Sequence, residues 1–145
     1  MHIHLLAAIL MIALTTAIHA AGMVVSIKYV VNGRGLIDRL LKGSVHFKVI
    51  SIVVLMFFVT FLEILAWALM YVSVGAIDGF EKALYFSTVT FTTLGYGDVL
   101  LSEKWRLLGS FEAANGIILF GWSTAVVMAA VQKVYMKEDL FRKKD

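Results

Sequence analysis

The segment Thr92-Thr93-Leu94-Gly95-Tyr96-Gly97-Asp98 alternates glycine with bulky residues. Glycine visits backbone conformations closed to other residues, so this spacing lets a chain turn successive carbonyls to one side. Any chemistry of the segment is then that of a row of backbone oxygens. Side-chain candidates are sparse. Glu63 and Glu112 are single charges inside long apolar runs, His19 lies in another such run, and His2 and His4 lie close together near the N-terminus. Two imidazoles could bind a metal together, and a histidine can sense protons. Serine, histidine and acid form no arrangement separable from helix packing, so no enzyme activity and no cofactor is expected. There is no Cys, which removes disulfide scaffolds, thiolate zinc sites and cysteine nucleophiles.

The elements that must position these residues are apolar. Of 145 residues 61% are hydrophobic and 16% charged, and the mean hydropathy is +0.89. Soluble domains are nearer 45–50% apolar and about 25% charged, so a membrane protein is expected. Three runs are long enough to cross a hydrocarbon core of roughly 30 Å at about 1.5 Å per residue. They are Leu5 to Ile27, Val49 to Ala76 around Glu63, and Leu107 to Val131 around Glu112. Ala13, Ala17 and Ala21 recur every four residues, a face small enough for close helix packing. The first helix is expected at the periphery, on the second.

Lysine and arginine set the orientation. Five lie between the first and second runs (Lys28, Arg34, Arg39, Lys42, Lys48) and five after the third (Lys133, Lys137, Arg142, Lys143, Lys144). The connection between the second and third holds only Lys82, Lys104 and Arg106. The bias places the first two segments inside, with the N-terminus outside and the C-terminus cytoplasmic. It also argues against a cleaved signal peptide, which would leave the basic Lys28 to Lys48 loop outside. Within that loop, Gly33-Arg34-Gly35 followed by Leu36, Ile37, Leu40 and Leu41 reads as a turn and a short amphipathic helix on the inner membrane surface. The cations flank apolar runs, so they are topology signals and no nucleic-acid partner is expected.

Phe80 to Phe91 fits a helix of about three turns, too short to span and suited to a re-entrant segment. Non-helical backbone at membrane depth, such as the following glycine-rich stretch, is tolerated only inside protein or along a water-filled path. A pore is the expectation. Thr93-Leu94-Gly95-Tyr96-Gly97, flanked by Thr92 and Asp98, resembles the T-V-G-Y-G-D filter signature of potassium channels, with Leu for Val. Ala83-Leu84-Tyr85-Phe86-Ser87 is similar to the pore-helix pattern of bacterial members. Phe120-Gly121-Trp122-Ser123-Thr124-Ala125 resembles their inner helix, and Gly116 lies close to their hinge glycine.

The resemblance covers about Val49 to Gln132. It implies an all-α membrane fold with three spanning helices per subunit, a re-entrant pore helix and a filter loop, assembled as a homotetramer because one chain carries one loop. It divides the chain into an N-terminal helix and basic loop (1–48), a pore domain (49–132) and a short basic tail (133–145). The carbonyls of Thr93, Leu94, Gly95 and Tyr96, with the Thr93 hydroxyl, would replace water around a dehydrated potassium ion, while Gly95 and Gly97 supply backbone freedom. The plasma membrane, lipid and potassium are the implied setting and partners. A non-selective cation channel and a non-conducting scaffold or accessory subunit are the alternatives.

Val89 stands where some bacterial channels have a glutamate near the filter aspartate, so Asp98 needs another partner, and Tyr85 is the expected one. Glu112 is expected either to reach water or to support the filter. Ile117, Phe120, Thr124 and Met128 share one helix face, which the resemblance turns toward the cavity. With no proline in the chain, bending of that helix would use Gly116 or Gly121. Glu63 is expected to be protonated, paired or turned into the bundle, in a structural or a gating role, its partner unnamed. No helix has a cation every third residue, so no voltage sensor is expected; the stimulus and the resting state are left open.

Overall fold

The computed structural model describes residues 2–32 and 45–142, with side-chain surroundings described for 5–28 and 47–133. The amphipathic helix expected at 33–42 and the side chains of His2 and His4 lie outside the described residues. Four helices run α1 (His2–Asn32), α2 (Val45–Ser73), α3 (Phe80–Phe91) and α4 (Arg106–Arg142), with no strand among the described residues. Leu5–Lys28, Phe47–Ser73 and Arg106–Lys133 are each long and apolar enough to cross a membrane. α3, at 12 residues, is not. The large apolar side chains left on the outside, Phe57 (69% exposed), Phe58, Leu10 and Ile118 among them, suit a surface whose solvent is lipid.

Local chemistry sets the helix ends. α2 stops in a Schellman motif: Gly75, at φ 66°, donates its N–H to the Val72 carbonyl, and Ala76 donates to that of Tyr71. α3 starts after Gly79, at φ 89°, with Glu81 in its first turn facing the positive end of the helix dipole. At its other end the Thr88 carbonyl accepts from both the Thr92 amide at 3.1 Å and the Thr92 hydroxyl at 2.6 Å, which closes the last turn.

α3 lies between α2 and α4, and α1 packs on both of those longer helices. The core is Trp67, Tyr71, Phe86, Phe91, Leu108 and Leu119, joined by Ala8 and Met11 of α1. Two expectations are corrected here. α1 lies against α4 as well as α2. Its Ala13, Ala17 and Ala21 are exposed, and the packed face is Ala8, Met11, Thr15, His19, Gly22 and Ser26. The physical reason is polarity. Thr15, His19 and Ser26 would face lipid if the alanines faced protein, and burying that stripe lets each find a partner. Gly22 is the notch in this face, since a methyl group there would overlap the Val59 side chain of α2.

Candidate functional site

The glycine-rich segment stands on the C-terminal end of α3, and α3 is held by polar groups buried on both sides. The Ser87 hydroxyl bonds the Ile64 carbonyl of α2 at 2.9 Å and the Glu112 carboxyl of α4. The Tyr71 hydroxyl of α2 donates to the other Glu112 oxygen at 2.7 Å. All three side chains are fully buried. Below them the Phe91 carbonyl sits against Gly116, where any Cβ would occupy the oxygen's place, and the Phe91 ring meets Phe120 edge-on at 5.9 Å. The second half of α3 is thus tied to α2 and α4 together at Ser87, and one turn later its last residue is seated directly on the α4 backbone.

From that seat the chain turns back on itself. Thr93 donates to the Thr90 carbonyl at 2.9 Å, and the Leu94 and Gly95 amides both donate to that of Val89, at 2.9 and 3.2 Å. Thr93, Gly95 and Gly97 have φ values of 62°, 56° and 79°, with Leu94 and Tyr96 between them on the ordinary side. Alternating handedness in this way swings consecutive peptide units so that their carbonyls share a side. Among the described residues no donor reaches the carbonyls of Thr93, Leu94, Gly95 or Tyr96. The side chains of Leu94 and Tyr96 are 57% and 67% exposed, uncovered by the rest of the chain.

Glycine spacing makes φ above zero at Gly95 and Gly97 legible in advance. The same value at Thr93 is not, because a β-branched residue is the least suited to that region, at a cost of about 1–3 kcal/mol. No sequence signal marks it.

At the far end of the segment, the Tyr85 hydroxyl of α3 donates to Asp98 Oδ2 at 2.7 Å, and the Val99 amide donates to Oδ1 at 3.1 Å. The tyrosine bond holds the Asp98 carboxyl below the usual carboxylate range, although both groups are solvent-exposed. Val89 is buried, so the aspartate has its partner one helical turn earlier on the same helix.

Glu112 corrects one expectation: it reaches no water, and what it holds is Ser87 and Tyr71, one step removed from residues 93–98. Glu63, also fully buried, is partnered by His19 of α1, whose Nδ1 lies 2.8 Å from Oε1. Gly116 has a packing role at Phe91, whereas Gly121 faces open space. Ile117, Phe120, Thr124 and Met128 are all exposed on α4, and Phe120, Thr124 and Met128 line one cavity with Thr88 and Thr92. Sequence reasoning missed His19 as the partner of Glu63, and the Thr15–Asn115 bond at 2.7 Å. The polar stripe Thr15, His19, Gly22, Ser26 at helical spacing was the available signal.

The arrangement is one in which buried side chains support α3 while the backbone oxygens of residues 93–96 are left without a donor among the described residues. Comparison with known protein families gives a match over residues 49–133 to the family described as Ion channel, from α2 through the described side chains of α4 and including α3 and the glycine-rich segment. Searches among curated proteins and solved structures found no match. The matched region is more than half of the chain and contains two of the three candidate spans, so this multi-pass membrane protein, one of a family of channels and not of enzymes, belongs to the ion channel family.

Proposed function

We propose that four copies of the chain form a potassium-selective channel, with residues 93–97 of each meeting at one axis. The observation that carries this reading is the alternation at Thr93, Gly95 and Gly97, together with the unpaired carbonyls of Thr93, Leu94, Gly95 and Tyr96. Four such rows would substitute for the hydration shell of a dehydrated ion, and neutral oxygens at several adjacent levels bind weakly enough to let it leave. Four copies also account for what one chain leaves uncovered. Leu94 and Tyr96, exposed here, would pack against the neighbouring copy and set the filter's diameter. Leu94 in place of valine changes that packing, not the carbonyl.

In this reading Ile117, Phe120, Thr124 and Met128 line the cavity, Tyr85 and Asp98 brace the outer filter, and Glu112 supports it through the pore helix α3. Residues 49–132 are the pore domain, with 1–48 as an added helix and basic loop and 133–145 as a tail. The basic segments put the C-terminus in the cytoplasm and the N-terminus outside, in the plasma membrane.

The test is potassium against sodium flux from liposomes holding the purified protein, with Gly95→Asp as control. Potassium-selective flux absent in the variant is expected. Equal flux of both ions would move the reading to a non-selective cation channel. A well-folded tetramer with no flux under any stimulus would move it to a scaffold or accessory subunit.

A further inference from the structure

His19 of α1 sits where three helices meet, fully buried in the apolar interior. Its Nδ1 lies 2.8 Å from Glu63 Oε1 of α2, its Nε2 lies 3.3 Å from Ser123 Oγ of α4, and the Trp122 ring lies over it at 5.3 Å. Glu63 Oε2 is buried with no partner. From this geometry we infer that His19, Glu63 and Ser123 form a proton-binding site within the membrane, whose occupancy sets how tightly α1 holds the inner helix α4. The inference rests on the channel reading only for its readout in flux.

Proton counting gives the site its two states. With a proton on Nε2 and a second between Nδ1 and Oε1, the pair has no net charge and Nε2 donates to the Ser123 hydroxyl. When the Nε2 proton leaves to water, the pair carries one negative charge and the bond to α4 reverses, Ser123 now donating to Nε2. A lone charge in an apolar interior is costly, so the tether between α1 and α4 differs between the states. Ser123 adjoins Thr124 on the exposed face of α4, so a change there reaches the face assigned to the cavity.

The surroundings isolate the pair. From α1 the neighbours Thr15 and Ser26 do not titrate. α2 presents Glu63 alone, and α4 presents Ser123 and Trp122. The other buried carboxyl, Glu112, bonds Tyr71 and Ser87 and lies eleven residues along α4 from Ser123, about 16 Å at 1.5 Å per residue. Lys28 and Lys133 are nine and ten residues from His19 and Ser123 along their helices.

The experiment uses the full chain in liposomes. Replacing His2, His4 and His46 with glutamine leaves His19 as the sole imidazole, and nitrogen NMR then follows its ring between about pH 4 and pH 9, around the ordinary histidine value. Potassium flux is measured over the same range. Expected are a His19 titration and a flux change with a common midpoint. Glu63→Gln should shift both together, and Ser123→Ala should keep the titration and lose the flux response. A His19 ring in one state throughout overturns the inference, as does a flux profile unchanged in both Glu63→Gln and Ser123→Ala. Absence of wild-type flux at every pH would count against the conduction reading instead, and the ring titration with its Glu63→Gln shift would then decide the proton site alone.

Discussion

The segment 93–98 and the buried root beneath it are built on opposite terms. Every residue of the segment is exposed within the chain, three of its six residues have φ above zero, and among the described residues no donor reaches the carbonyls of residues 93–96. The root, Tyr71, Ser87, Glu112, Phe91 and Gly116, is buried throughout, and each of its polar side chains is bonded. The difference teaches where a single chain invests its internal contacts. It secures the platform by itself and leaves the segment 93–98 uncovered, the surface that in the proposed channel would be completed by ions and by neighbouring copies.

If the two regions are separable in this way, variants should divide by readout. Gly95→Asp should have the largest effect on function, abolishing flux, because a side chain is placed at a left-handed position in the proposed ion path. Circular dichroism should show its helices intact. Gly116→Ala should be the largest blow to the fold, since its methyl group meets a backbone oxygen that has no rotamer to move to. A loss near the upper end of the overpacking range, about 3 kcal/mol, is expected in denaturant unfolding. Glu112→Ala follows, at about 1–3 kcal/mol, because the buried Tyr71 hydroxyl loses its partner while Ser87 keeps the Ile64 carbonyl, with Glu112→Gln restoring part of the loss. A Glu112→Ala protein of unchanged stability would break the comparison.

The smallest effect belongs to Tyr85→Phe, which should leave stability alone and change the rate of inactivation. Asp98 titrates below its ordinary range in the folded protein. The brace is therefore present above that range and lost only as pH falls through the lowered value. Without the hydroxyl, carboxyl carbon NMR should show the Asp98 midpoint move up toward the ordinary carboxylate range. Identical inactivation and an unmoved midpoint would mean that the bond at 2.7 Å braces nothing.

How much of this was legible beforehand follows from the range of each interaction. The three spans and the twelve-residue helix α3 are local features of hydropathy and length, and their expected bounds agree with the structure to within a few residues. Gly95 and Gly97 announce their φ by lacking a side chain. The Tyr85–Asp98 pair was legible through a resemblance that left Asp98 short of a partner. The bonds of Glu63 to His19 and of Asn115 to Thr15 join residues 44 and 100 apart in sequence. They depend on the rotation of each helix about its own axis. In an almost wholly apolar helix that rotation is poorly specified by hydropathy, which is why the alanine face of α1 reads as the packed one. The polar stripe decides it, because a stranded hydroxyl or imidazole in lipid costs more than an exposed alanine.

The seat of Phe91 on Gly116 also limits the mechanics of α4. If α4 slid along its axis by a turn, either Glu112 or Phe120 would come opposite the Phe91 carbonyl, and neither leaves room for it. Translation is therefore blocked at this level while swivelling is not. If α4 pivoted at this contact, with its fulcrum at Gly116, small rotations there would become larger excursions at Met128, three turns away.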